Sequence, residues 1–151
     1  MSQSICHIYL HIVFSTKNRT PYLKDKALRA RLYSYMVGIN NKLGTHTRII
    51  NGVEDHIHIL CLQPKTVCIA AHIRTLKANS STWMKRQGKD YSTFAWQGGY
   101  GVFSVSESGL EKVQRYISNQ EKHHQKKTFM QEYREILHTH DIDYDERYLW
   151  G

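Results

Sequence analysis

The chain has 151 residues, of which 40% are hydrophobic and 23% charged, a composition that fits one globular domain and excludes a disordered chain. A mean hydropathy of −0.56 and the lack of any apolar run near about 18 residues exclude a transmembrane helix; residues 1–4 lack the basic and apolar stretches of a secretory leader, so a cytoplasmic protein is expected. Lys and Arg number 21 against 13 Asp and Glu, a net charge of +8, which points to a polyanionic partner such as nucleic acid, with plain solubility as the competing explanation.

Residues 5–15 alternate: Cys6, Ile8, Leu10, Ile12 and Phe14 lie on one face and His7, Tyr9 and His11 on the other, the period of a strand. From Lys24 to Leu43, Leu28, Leu32, Tyr35, Met36, Ile39 and Leu43 recur at helical spacing, and Gly44 supplies a stop. Thr45–Ile50 and Val53–Leu62 read as two strands joined by the turn pair Asn51-Gly52. A second helix is predicted over Thr66–Gln87, with Ile69, Ile73, Leu76, Trp83 and Met84 as its apolar stripe and Arg74, Lys77, Ser81 and Lys85 on the opposite arc. The glycine-rich stretch from Gln87 to Gly101 reads as a loop, and Gly101–Val105 as a last strand. Ser108 with Glu111 resembles a capping box opening a third helix, about 106–127. In the remaining segment, 128–151, a short amphipathic helix places Phe129, Tyr133, Ile136 and Leu137 on one side, and an acidic, aromatic tail follows. This order predicts one α+β domain over 1–151, on the ferredoxin-like, split βαβ plan: an antiparallel sheet with helices on one face and a C-terminal helical addition. Cys6, Cys61 and Cys68 lack paired metal spacing and are expected to be buried, reduced thiols.

The first candidate for chemistry is Asp55-His56-Ile57-His58-Ile59-Leu60. Residues two apart on a strand share a face, so His56 and His58 can hold one metal ion or serve as hydrogen-bonded structural histidines. Chance alone gives about 0.7 such pairs in a chain this rich in histidine, and a second pair, His138 and His140, falls at a helix end and reads as surface. The second candidate is the predicted third helix, where Tyr116 and Gln120, four apart, line one edge of the Leu110, Val113 and Ile117 stripe. Each alone reads as ordinary packing. Packed over the histidine face, they would set a phenol beside a metal ion, with Gln120 as a third ligand. A divalent ion polarises a phosphoryl oxygen and stabilises a leaving oxygen, and Tyr116 attacking a DNA phosphodiester would give a phosphotyrosine and a free 3′-hydroxyl.

The His-hydrophobic-His strand and Tyr116-Ile117-Ser118-Asn119-Gln120 resemble the single-tyrosine HUH transposases of the insertion-sequence-200 type. The resemblance covers almost the whole chain and includes Phe14-Ser15-Thr16-Lys17, the segment from Trp96 to Val105, and Gln120-Glu121-Lys122-His123-His124. It implies a C-terminal catalytic helix, Tyr116 as nucleophile, and His56, His58 and Gln120 as ligands to Mg²⁺ or Mn²⁺. It also implies single-stranded DNA with hairpins as substrate, and a homodimer whose tyrosine helices complete composite sites; the loop from Gly98 to Gly101, before the last strand and helix, could permit such an exchange. Lys17, Arg19, Arg74, Lys77 and Lys85 are candidate phosphate contacts on charge grounds. His123, Glu54 and Asp55 are weaker candidates near the ion, and His7 and His11 carry no assignment. Two other readings stay open: an RNA-recognition module, against which stands a strand with two histidines and no aromatic, and a hydrolytic metallonuclease in which Tyr116 is structural.

Overall fold

The computed structural model describes residues 2–151. Four strands, Tyr9–Ser15 (β1), Thr47–Gly52 (β2), His56–Leu62 (β3) and Gly101–Val105 (β4), form one sheet in the order β2-β3-β1-β4, with every neighbouring pair antiparallel. Lys26–Lys42 (α1) and Ile69–Lys85 (α2) connect β1 to β2 and β3 to β4, which is the split βαβ plan read from the sequence. Asp25 caps α1 through Ala27 N and Leu28 N. Leu10, Ile12, Phe14, Ile57, Ile59 and Cys61 face these two helices and form the main core with Leu28, Leu32, Met36, Ile73, Leu76 and Met84.

The alternate residues of the same strands face a second helical layer, Leu110–Ser118 (α3), Gln120–His123 (α4) and Phe129–Thr139 (α5); a last short helix, Glu146–Leu149 (α6), lies in the tail. Two apolar patches hold this layer down. Tyr9 and Leu60 meet Leu110 and Ile117, and Val13 and Phe103 meet Phe129, Tyr133 and Leu137. Between the patches the sheet presents His11, His56 and His58, all buried. The register sets His58 opposite Val13 and His56 opposite Ser15, so one flat face offers imidazoles in the gap between two dry contacts.

Four expectations need correction. Asn51-Gly52 is not the turn: both residues pair within the sheet, opposite His58 and Ile57, and residues 53–55 make the connection. Gly52 is required by close approach, since a Cβ there would collide with the carbonyl oxygen of His56. The helix predicted over 106–127 is broken. It opens with a 3-10 turn at Glu107–Gly109, ends at Ser118, and resumes at Gln120 after Asn119 leaves helical geometry. The Ser108–Glu111 box does not form, because Ser108 Oγ meets Ser106 Oγ instead; the chain's capping box is Thr128 with Gln131, at the start of α5. Of the three cysteines only Cys61 is buried; Cys6 is half-buried and Cys68 is exposed, its sulfur capping α2.

Gly52 fixes the backbone from which His56 projects. Gly52→Ala should cost about 1–3 kcal/mol, the usual penalty of forcing atoms into a filled space, read as a lower urea midpoint with an unchanged slope.

Candidate active site

Strand β3 delivers His56 and His58 to the same face, and the register with β1 brings His11 beside them. The second ring nitrogen of each β3 histidine is occupied from behind. His56 Nδ1 lies 2.7 Å from Asp55 Oδ1, and His58 Nδ1 lies 2.8 Å from His11 Nε2. Both Nε2 atoms therefore point forward into the gap, the orientation that partners behind a metal-binding imidazole impose.

Helices α3 and α4 close the gap from above. Asn51, on β2 opposite His58, donates from Nδ2 to the carbonyl of Ile117 at 2.9 Å, satisfying the frayed end of α3 where the helix breaks. On the far side of the break, Glu121 accepts from the buried Arg29 of α1 at 2.9 Å. Gln120, held between these two fixings, is fully buried, with Oε1 3.3 Å from His56 Nε2 and 3.0 Å from His124 Nε2. Tyr116 sits on the last turn of α3, its ring 5.8 Å from that of His58.

The remaining member comes from α5. Glu132 is 3% exposed, and carboxylates are almost never so buried unless paired. Its Oε1 lies 2.9 Å from His58 Nε2 and 3.3 Å from His56 Nε2. Its Oε2 accepts from the Tyr116 hydroxyl and from Gln120 Nε2, the latter at 3.2 Å, and lies 3.2 Å from His124 Nε2. One ligand atom from each of His56, His58, His124 and Glu132 falls within 4.8 Å of all the others.

The electrostatics follow from this crowding. Burial would push His56 down, but the Asp55 and Glu132 carboxylates at its two nitrogens overcome that and raise it to about 9. Burial lowers His58 and brings His11 down to about 3, the latter helped by the neighbouring His58. Burial would raise Glu132, yet hydrogen bonds from His124, His56 and His58 hold it well below the usual carboxylate range. Burial, then the Glu132 carboxylate, pushes the Tyr116 phenol above its ordinary value.

The donor set fits a cation. With Nδ1–H directed at Asp55, His56 Nε2 confronts oxygens of Gln120 and Glu132. With Nδ1 2.7 Å from the carbonyl of Lys127, His124 Nε2 confronts the same two side chains. Nitrogen and oxygen lone pairs that converge in this way need positive charge between them, either protons or a metal ion.

The structure thus brings together His56, His58, Gln120 and Tyr116, and adds Glu132, His124 and His11. Glu132 was readable as the one acid within the Phe129, Tyr133, Leu137 stripe of α5. His124 lies four residues after Gln120. The His123 ring lies tilted beside that of Tyr116, with centroids 4.8 Å apart, and stays outside the cluster. Asp55 faces the back of His56, and Glu54 is exposed. His138 and His140 are exposed, as expected. Of the candidate DNA contacts, Lys17, Arg74 and Lys85 are exposed. Arg19 is half-buried with its guanidinium 5.8 Å from the Trp150 ring. Lys77 donates to the carbonyls of Gln97 and Gly99 at 2.8 and 2.6 Å, and burial lowers it to about 8. Arg74, Lys77 and Lys85 belong to α2, across the sheet from the histidines.

The raised His56 has a measurable consequence. Protonated His56 stabilises the metal-free fold fully below pH about 6.5, its unfolded value, and that contribution disappears as pH rises through about 9. In EDTA, the gap in melting temperature between the wild type and His56→Gln should be widest near pH 6 and shrink as pH passes 9.

The family model described as "Transposase IS200 like" matches residues 4–120. No curated protein matches significantly. Among solved structures, a proposed transposase from Deinococcus radiodurans R1 is similar, with 23% identity, a TM-score of 0.60, and coverage of 80% of this chain and 98% of that one. A REP-associated tyrosine transposase bound to a REP hairpin is similar at 10% identity and TM-score 0.54, covering 80% of this chain and 70% of that one. At these identities the two structures establish the fold, and the family match extends from before β1 to Gln120. The chain belongs to the IS200-like transposases.

Proposed function

We propose that this transposase is a metal-dependent endonuclease and strand transferase for single-stranded DNA, with Tyr116 as nucleophile and His56, His58 and Gln120 as metal ligands. The observation that carries the reading is that the Tyr116 hydroxyl enters the same hydrogen-bonded cluster as both imidazoles and the Gln120 amide. A Mg²⁺ or Mn²⁺ ion held there would polarise a phosphoryl oxygen and offset charge on the leaving oxygen.

The protein's own residues position the reaction. Tyr116 Oη forms a bond to phosphorus, the bond from phosphorus to the 3′-oxygen breaks, and the phenolic proton is lost as the 3′-hydroxyl takes one up. The 5′-phosphate stays on the tyrosine, so the bond energy is kept and a second 3′-hydroxyl can reverse the step. At rest, with its proton held by Glu132, Tyr116 is a neutral phenol and a weak nucleophile. An open groove lined by Glu54, Asp55, His124, Lys126 and Lys127 reaches the edge of this cluster at His124 and offers a route for the scissile strand. The REP-hairpin complex of the similar structure supports hairpin DNA as the partner, which would place the protein at the nucleoid.

Tyr116 contacts Glu132 of the same chain, an arrangement that each copy can make by itself or by exchange of tyrosine helices in the homodimer that the resemblance implies. Mixing His56→Ala with Tyr116→Phe separates them, since restored cleavage requires exchange.

On hairpin-bearing single-stranded DNA with Mn²⁺, Tyr116→Phe should lose cleavage and covalent adduct together, by about a thousandfold or more, as for removal of a nucleophile. Cleavage that persists without an adduct would make the protein a hydrolytic metallonuclease.

A further inference from the structure

We propose that Glu132 is a metal ligand through Oε1 and, through Oε2, the anchor of the nucleophile, so that one carboxylate from α5 joins the ion to Tyr116. The inference rests on the metal-dependent reading above and adds a residue beyond the segment that the family model matches, 4–120.

Position supports it first. Glu132 Oε1 lies in front of both forward-facing imidazole nitrogens, 2.9 Å from His58 and 3.3 Å from His56. Its other oxygen accepts from Tyr116 Oη and from Gln120 Nε2. A cation held by the two Nε2 atoms would meet this carboxylate oxygen. The other acid touching the histidines, Asp55, is bound to the back of His56 and does not face the gap.

Charge supports it second. Two imidazoles and an amide are neutral and leave both charges of a divalent ion uncompensated in a buried site. Mg²⁺ and Mn²⁺ prefer carboxylate oxygen to nitrogen. Glu132 supplies that hard, anionic oxygen from a stripe otherwise formed by Phe129, Tyr133 and Leu137.

The fold supports it third. α5 is seated by its own capping box and by three buried side chains, so the carboxylate is presented by a fixed helix. Its two oxygens would then set the distance from ion to phenol, a spacing that in-line attack depends on.

The competing role is a plug: a carboxylate that neutralises the histidines and must be displaced before metal binds. The two roles differ in sign. Mn²⁺ is titrated calorimetrically into the full chain at pH 7.5, alongside Glu132→Gln, Glu132→Asp and Tyr116→Phe, with hydrogen exchange of residues 129–139 followed with and without saturating Mn²⁺. Ligation predicts that Glu132→Gln weakens Mn²⁺ by about tenfold or more, that Glu132→Asp also weakens it, and that Tyr116→Phe stays within about threefold. It also predicts that Mn²⁺ slows exchange across α5 in the wild type and leaves it unchanged in Glu132→Gln. Should Glu132→Gln fail to fold in EDTA, Glu132→Asp carries the same comparison. Equal or tighter Mn²⁺ binding by the variants overturns the inference and leaves the metal-dependent reading standing. A wild type that binds no Mn²⁺ overturns both.

Discussion

A buried carboxylate among three imidazoles and a phenol is the interaction on which the second layer of this protein depends. The sheet face under α3, α4 and α5 carries histidines where an ordinary antiparallel sheet would carry aliphatic residues. Unpaired polar groups in such a layer cost more than a surface ion pair returns. Glu132 satisfies the forward nitrogens of His56 and His58, and Tyr116, Gln120 and His124 satisfy Glu132 in turn. The apolar patches on either side provide the burial energy, and the polar cluster fixes which arrangement of the helices is the unique one. The chemistry and the docking of the helices are therefore the same set of contacts.

The sheet also explains why the tyrosine helix is broken where it is. A continuous helix through residue 119 would carry Gln120 on the same regular progression as Tyr116. Leaving helical geometry at Asn119 frees the carbonyls at the end of α3, which Asn51 takes up from β2, while Arg29 grips Glu121 from α1. Gln120 is thus positioned from two separate elements of the first layer, and the amide reaches His56 while the phenol stays near His58. The break is a positioning device for two side chains that a straight helix would place only along one edge.

Much of this was legible in the sequence because it rests on local periodicity. The two-residue alternation of β1, the helical stripes of α1 and α2, and the His-Ile-His pattern of β3 all report faces directly, and the order of elements constrained the sheet. What was not legible depended on tertiary approach. Asn51-Gly52 has the composition of a turn, yet the glycine answers to the His56 carbonyl, which only the folded hairpin brings near. Ser108 and Glu111 have the spacing of a capping box, yet a 3-10 turn consumes the first of them. Glu132 stood in plain view on an apolar stripe, but its partners lie 74 and 76 residues earlier on β3, beyond any local pattern. His11 is illegible for the same reason, since its role comes from lying beside His58 across a strand pair.

The central claim is that the phenol of Tyr116 becomes bonded to DNA. Its most direct test is mass spectrometry of the tryptic peptide 116–122 after incubation with hairpin-bearing single-stranded DNA and Mn²⁺, followed by nuclease trimming. The account predicts this peptide with a nucleotide joined through its 5′-phosphate to Tyr116. Cut DNA accompanied by an unmodified peptide, or the nucleotide on another residue, would contradict it.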